Sequence, residues 1–297
     1  MQQLTIVKVG GAIVEDTVQL DNLLTHFQNI KGHKVLVHGG GRRATKVASA
    51  LGIESQMVNG RRITDAAMLE VVTMVYGGLV NKNIVALLQA RGINALGLTG
   101  ADMNIILSHK RPPVSLMVNS PLNSHEQASN VGKYTTKAIG ADSQEGKNSA
   151  HYTPQVVDFG FVGDVDRANG QALKTLIEAG ITPVVAPLTH DGKGQLLNTN
   201  ADTMAAETAK ALAPYYDVTL IYSFEKKGVL RCPNDDNSVI PTITRTDFEQ
   251  LKANGTIAGG MIPKIENALN AVEQGVKKVI ITQADTIDSC LGTTIKS

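Results

Sequence analysis

Five short stretches of this 297-residue chain carry residue types that handle anions. The first is Lys8-Val9-Gly10-Gly11, where a strand-like run ends in a lysine and two glycines. In an open parallel sheet, ligands sit beyond the carboxyl ends of the strands. Gly10 and Gly11 would offer backbone N–H groups there with no side chain in the way. A lysine snorkelling above an ordinary turn would read the same. The second is His38-Gly39-Gly40-Gly41-Arg42-Arg43-Ala44, three glycines ahead of a helix and thus an anion cradle. Its spacing also fits a dinucleotide fingerprint, but no acidic residue ends a strand about 20 residues later to hold a ribose. The third is Asn59-Gly60-Arg61-Arg62-Ile63-Thr64-Asp65, a turn whose arginine could grip a carboxylate bidentately or simply be solvated. The fourth is Asn198-Thr199-Asn200-Ala201-Asp202. Asn200 reads as a helix cap and Asp202 as an acid matched to the helix dipole, which leaves Asn198 unexplained. The fifth is Gly259-Gly260-Met261-Ile262-Pro263-Lys264. Pro263 suits a first helical turn, whereas Lys264 opposes the positive end of the dipole unless an anion lies between them. No Walker-type phosphate loop, HExxH helix or Cys/His cluster occurs.

These stretches need strands and helices to position them, and the apolar pattern supplies both. Strands are expected at Leu4–Val9, Lys34–His38, Ile93–Leu98, Thr182–Ala186, Val218–Tyr222 and Lys278–Thr282, with a β-hairpin over Val156–Val165. Helices are expected at Leu20–Phe27, after Gly41, from a Thr64 cap toward Ala90, and at Leu173–Ala179, Ala201–Leu212, Phe248–Asn254 and Pro263–Glu273. Strands alternating with helices predict an α/β fold, a mostly parallel sheet sandwiched between helices in three layers. Pro113–Pro154 breaks the pattern: it is rich in Ser, Asn, Gln, Lys and Gly and reads as a polar, largely disordered insertion.

Composition narrows the function classes. Hydrophobic residues make up 42% of the chain and the net charge is +1, which gives no electrostatic reason to bind nucleic acid or an anionic membrane. Two cysteines, Cys232 and Cys290, are too few for a disulfide framework. The start has no signal-peptide pattern, and no apolar run reaches spanning length. The expectation is a soluble cytoplasmic protein.

Taken in order, the motifs resemble the amino-acid kinase family across nearly the whole chain. The match adds Val80-Asn81-Lys82 and Gly160-Phe161-Val162-Gly163 to the five stretches above. The resemblance implies one amino-acid kinase domain over 1–297. Its acceptor-binding half would be 1–190, carrying the polar insertion 113–154, and its nucleotide-binding half 191–297. It implies ATP-dependent phosphorylation of the side-chain carboxylate of N-acetyl-L-glutamate, a step of arginine biosynthesis, in a cytoplasmic homodimer built around the Asp65–Ala90 helix. Lys8, Lys264 and Asp202 would be catalytic. Gly40, Gly41, Arg62 and Asn198 would bind the acceptor. Gly10, Gly11, Gly259 and Gly260 would bind the nucleotide. Mg²⁺ would be held mainly by ATP and not by protein ligands. Because the first strand begins by Leu4, insensitivity to arginine is also expected.

Glutamate, with a pKa near ~4.3, is already ionised and needs no general base, so positive charge and in-line positioning must do the work. The chain departs from the family pattern at the insertion, at Tyr222–Leu230, where Glu225 falls near the usual Asp, and at Arg61, where an apolar residue is usual. Arg61 beside Arg62 leaves N-succinylglutamate open as the acceptor. A carbamate kinase-like enzyme, a non-catalytic acylamino-acid sensor and an NAD-dependent oxidoreductase are the other readings.

Overall fold

The computed structural model describes residues 1–58, 60–119, 152–289 and 291–296. Its centre is the strand Gln3–Val9, paired in parallel with His33–His38 on one side and Asp217–Phe224 on the other. The eight-stranded sheet runs in the order Thr242–Ile243, Thr293–Ile295, Lys278–Gln283, Asp217–Phe224, Gln3–Val9, His33–His38, Thr182–Val185, Ala95–Leu98. Every pairing is parallel except Lys278–Gln283 with Thr293–Ile295. The chain therefore leaves the central strand to both sides, and such a switch point opens a crevice at the carboxyl ends of the strands. Lys8 stands at that end.

Period-two alternation sorts the central strand between two cores. Leu4 and Ile6 pack with the helices Gly170–Glu178, Ala201–Leu212, Arg245–Ala253 and Met261–Glu273. Val7 and Val9 pack with Thr17–Asn29, Gly41–Ala50 and the long helix that follows. Lys8 continues the Leu4–Ile6 face, so its side chain rises toward the start of Ala201–Leu212, which fixes its partner.

The long helix runs over Ala66–Gln89 and has the length and composition to cross a membrane, contrary to the reading that no run was apolar enough. Its Met68, Val71, Val72, Val75, Tyr76, Val80, Ile84 and Leu88 are buried in the second core, while Met74 and Leu79 stay about half exposed, at 53% and 50%. Its middle, Thr73–Val80, is π-helical. The cap is Asp65, which accepts from the Met68 N–H, and not Thr64. Thr64 instead bridges to Gly160: its N–H donates to Phe159 O and its carbonyl accepts from Phe161 N–H. Gly160 has φ +70, and a Cβ there would lie 2.2 Å from Thr64 O, so only glycine fits.

The expected Val156–Val165 hairpin does not form. Tyr152–Val157 pairs with Val114–Asn119, and Gly163–Ala168 pairs with Ile106–Lys110 in a second sheet completed by Leu188–His190 and Leu196–Asn198. Both ends of the expected insertion are therefore strands. Val114 and Leu116 pack on Val58, Val157, Phe159 and Val162. Residues 120–151, where the rest of that expectation falls, lie outside the described residues, as do Asn59 and Cys290.

Candidate functional site

Two adjoining cavities open at the carboxyl end of the central strand. The larger, about 870 Å³, is lined by Lys8, Gly10, Gly11, Ser223, Phe224, Lys264 and an apolar wall that includes Val229, Leu230, Ile257 and Ala258. The smaller, about 190 Å³, is lined by Gly39, Gly40, Tyr76, Asn198 and an arginine-rich wall of Arg61 and Arg111. Gly41, Met57 and Arg62 line both.

Lys8 is only 7% exposed, and its Nζ lies 2.6 Å from Asp202 Oδ1. The Asn200 side chain accepts from the Asp202 and Thr203 N–H groups, so the helix start that Asn200 fixes delivers Asp202 to the lysine. Capping and site construction are one arrangement here. Tyr222, the register partner of Lys8, donates its hydroxyl to the Asp202 carbonyl at 3.3 Å. Lys264 Nζ sits 3.9 Å above the Phe224 ring, and Lys8 Nζ is 5.6 Å from the same ring. Burial pushes the Lys264 pKa below the ordinary lysine value; Asp202 opposes that shift and Lys8 adds to it. Two ammonium groups thus converge on one carboxylate and one aromatic face, an excess of positive charge that suits an anion.

The glycines supply N–H donors at the same place. A Cβ on Gly11 would lie 3.6 Å from both Gly40 N and Gly41 N, so the two glycine loops touch. A Cβ on Gly40 would lie 2.8 Å from the Tyr76 ring. The helices starting at Gly11, Gly41 and Met261 have no side-chain cap and no acid in the first turn. Their free N–H groups and positive dipole ends are anion sites in themselves. Ser223 Oγ is buried with no hydrogen-bond partner among the described residues and lines the larger cavity.

The loop carrying Gly39–Gly41 is held from behind. His38 is fully buried and donates from Nδ1 to the Gly39 carbonyl at 2.8 Å. Asn81 Nδ2 donates to His38 Nε2 at 3.1 Å and to Val184 O at 2.9 Å, and Lys82 Nζ donates to Asn81 Oδ1 at 3.1 Å. This gives the Val80-Asn81-Lys82 motif a purpose away from the cavities. Burial lowers the His38 pKa to about 4, so the ring is neutral at pH 7.

In the smaller cavity, Arg62 Nη2 donates to Gly41 O at 2.8 Å and Thr45 Oγ1 at 2.9 Å, and Nη1 donates to Ser55. Asn198 Nδ2 donates to Thr64 Oγ1 at 2.9 Å. The structure thus brings together Lys8, Lys264, Asp202, Gly10, Gly11, Gly40, Gly41, Arg62 and Asn198. Gly259 and Gly260 are different: both are exposed and line neither cavity, whereas their neighbours Ala258 and Met261 line the larger one. Tyr76, Arg111 and Asp164 were not anticipated as site residues, since each meets the cavity from a segment with no motif of its own; Ser223 and Phe224 lie in the Tyr222–Leu230 stretch flagged above as a departure from the family pattern. Among the described residues, no group of three or more His, Cys, Asp or Glu is placed to hold a metal ion.

A model of the amino acid kinase family matches residues 3–283. The chain belongs to the amino acid kinase family. Among proteins of that family, an acetylglutamate kinase of Bacteroides thetaiotaomicron is 57% identical over 295 residues, covering 99% of each chain. One of Phocaeicola vulgatus is 56% identical over 295 residues, again covering 99% of each. A crystal structure of a Streptococcus mutans UA159 protein is similar with a TM-score of 0.67 at 25% identity, covering 99% of this chain and 98% of that one. The amino acid kinase fold accounts for the parallel sheet and for the order in which the motifs reach the crevice.

Proposed function

We propose that this amino acid kinase transfers the γ-phosphoryl group of ATP to the side-chain carboxylate of N-acetyl-L-glutamate, in the cytoplasm, as a step of arginine biosynthesis. The observation that carries the reading is a large, partly apolar cavity holding Lys8 and Lys264, with Asp202 paired to Lys8, that adjoins a small cationic cavity across Gly41, Met57 and Arg62. Residues 191–297 supply most of the nucleotide wall and 1–190 most of the acceptor wall, with Gly10, Gly11 and Asn198 crossing that division.

A carboxylate oxygen of the acceptor attacks Pγ. The new O–P bond forms as the bond to the β,γ-bridging oxygen breaks, and ADP leaves with that electron pair. The acceptor is already ionised, so no proton has to move. Lys8 and Lys264 sit against the transferring group, and Asp202 keeps Lys8 in position. Gly10, Gly11 and the uncapped helix starts donate N–H bonds to phosphate oxygens. Gly40, Gly41, Arg62 and Asn198 hold the acceptor. Asp202 is taken by Lys8. Mg²⁺ would therefore be borne mainly by the ATP phosphates, where it supplies charge neutralisation. The exposed Met74 and Leu79 on the long helix suit a homodimer contact, which light scattering would detect.

The deciding experiment is an ATP-dependent hydroxylamine trap run across glutamate, N-acetylglutamate and carbamate. A hydroxamate from N-acetylglutamate alone is the expected result. Product from carbamate alone, or no product from any acceptor, overturns the reading.

A further inference from the structure

The smaller cavity holds more positive charge than an acetyl group explains. Arg61, Arg62, Arg111 and Asp164 all line it. Adjacent strand residues face opposite ways, which would send Arg61 to solvent. In the hairpin Met57–Val58/Arg61–Arg62 the alternation holds, with Arg62 buried and Arg61 exposed, yet both arginines line the cavity, Arg61 at its solvent-facing side. Arg62 turns toward Gly41 and Thr45. Arg61 shares the cavity lining with Arg111 and Asp164, whose charges act on it.

Among the side chains lining this cavity, arginines outnumber carboxylates three to one. Arg111 is already engaged: its guanidinium donates bidentately to Asp164, with Nε at 3.0 Å from Oδ2, and it lies over the Phe159 ring at 5.6 Å. That leaves Arg61 with no carboxylate in ion-pair range among the described residues. Packing around its guanidinium and the neighbouring Arg111 charge both push its pKa below the ordinary arginine value, with Asp164 opposing. A cation beside another cation is favoured by the arrival of a further anion. N-acetylglutamate brings one carboxylate besides the reacting one, and Arg62 suits it. The methyl end of its acyl group would offer Arg61 nothing.

We propose that Arg61, supported by Arg111, reads a carboxylate at the far end of the acyl group, so that N-succinyl-L-glutamate is preferred over N-acetyl-L-glutamate as acceptor. The inference rests on the phosphoryl-transfer reading above. Arg61 determines specificity through binding and takes no part in the chemical step. A guanidinium–carboxylate contact is bidentate and charge-assisted, and its loss would cost roughly 10- to 100-fold in affinity.

The test compares kcat/KM for three acceptors: N-acetyl-, N-succinyl- and N-succinamoyl-L-glutamate, the last having the same length with a neutral amide end. Wild type should favour the succinyl compound over both others by roughly 10- to 100-fold, through KM. In Arg61→Leu the succinyl-to-acetyl ratio should fall toward one, and Arg61→Lys should restore part of it. A succinyl-to-acetyl ratio that Arg61→Leu leaves unchanged overturns the proposal. So does a succinamoyl compound as good as the succinyl one in wild type, a comparison that needs no variant to fold. Turnover of N-acetylglutamate with no succinyl preference sinks this inference alone, whereas no hydroxamate from any acylglutamate sinks the kinase reading as well.

Discussion

Helix starts at the crevice are built differently from those elsewhere in the molecule. Away from it, Asp16, Asp65, Asn169 and Thr244 each accept a hydrogen bond from the first turn of their helix. At the crevice, Gly10, Gly40 and Gly260 leave the first turn bare. A glycine in place of a capping side chain costs only a few tenths of a kcal/mol, so these starts stay formed while leaving their donors exposed for a ligand. The bare starts are held by tertiary contacts instead: Gly40 by the Tyr76 ring, Gly39 by His38 and Asn81, and Gly11 by the neighbouring glycine loop. Asn200 stands between the two types, since its cap also delivers Asp202 to Lys8. Local capping makes a helix stable by itself, whereas leaving it uncapped makes its N-terminus available to a ligand.

The largest expected effect tests whether the charge at the bare starts serves the reaction. Lys264→Ala should lower kcat by about 10²–10³-fold with a much smaller change in acceptor KM, because preorganised charge acts mainly in the transition state. Steady-state kinetics with the hydroxylamine trap measures both, and normal turnover with weakened binding would break the comparison. Lys8→Ala should behave alike and also lower the melting temperature, since Asp202 would lose its partner.

A paired substitution sharpens the contrast. Gly41→Asp puts an acid in a bare first turn, where a Cβ would meet Arg62 Nη2 at 3.7 Å and the Tyr76 hydroxyl at 3.9 Å, both ordinary contacts. It should leave thermal stability unchanged or raised by the dipole term of about 0.3–1 kcal/mol, and lower turnover by about 100-fold through repulsion of phosphate. Asn169→Ala should do the opposite, costing about 1 kcal/mol of stability with near-normal turnover. Similar stability losses in the two variants would mean that the bare starts serve no ligand.

His38 adds a pH test. Its folded pKa is about 4, and an unfolded histidine titrates near ~6.5. The unfolded chain therefore binds more protons between these values, and this contribution to stability is complete above about pH 6.5 and lost as pH falls toward about 4. Denaturant midpoints measured across that range should fall with pH in wild type and fall less steeply in His38→Gln. Equal slopes would remove His38 as the support behind the glycine loop.

The smallest effect concerns residues 120–151. Joining Asn119 to Tyr152 through a short turn should leave turnover near normal, because it keeps Val114 and Leu116 in their cluster beside Val58 and Phe159. Joining Arg111 to Gln155 would remove the strand Val114–Asn119 and part of its partner, and should cost activity. Equal activity in the two deletions would show that this ribbon does not support the arginine-rich wall.

What could be read in the sequence follows the range of the physics involved. The central strands and most helices were legible because their apolar periodicity is local, and the glycine-lysine stretches because a bare helix start is a local pattern. Thr64 was misplaced as a cap because its bond to Phe159 spans distant sequence. The Val156–Val165 hairpin failed for the same reason: two nearby strands each found a remote partner. Arg111 and Asp164 form a pair 53 residues apart, and no spacing rule predicts that they meet beside Arg61. Gly259 and Gly260 are the reverse case, a motif legible in sequence whose glycines line neither cavity while Lys264 does.

Gly41, Met57 and Arg62 belong to both cavities, and the Arg62 guanidinium is tied to the Gly41 carbonyl. An acceptor that draws Arg62 toward itself must relax that tie and shift the amide that faces the nucleotide. The two substrates are then thermodynamically linked: each changes the other's dissociation constant, and by the same factor in both directions. Calorimetric titration of the acceptor with and without a non-hydrolysable nucleotide, and of the nucleotide with and without acceptor, should return matching ratios different from one. Arg62→Lys, which cannot hold Gly41, Thr45 and Ser55 at once, should bring both ratios back toward one.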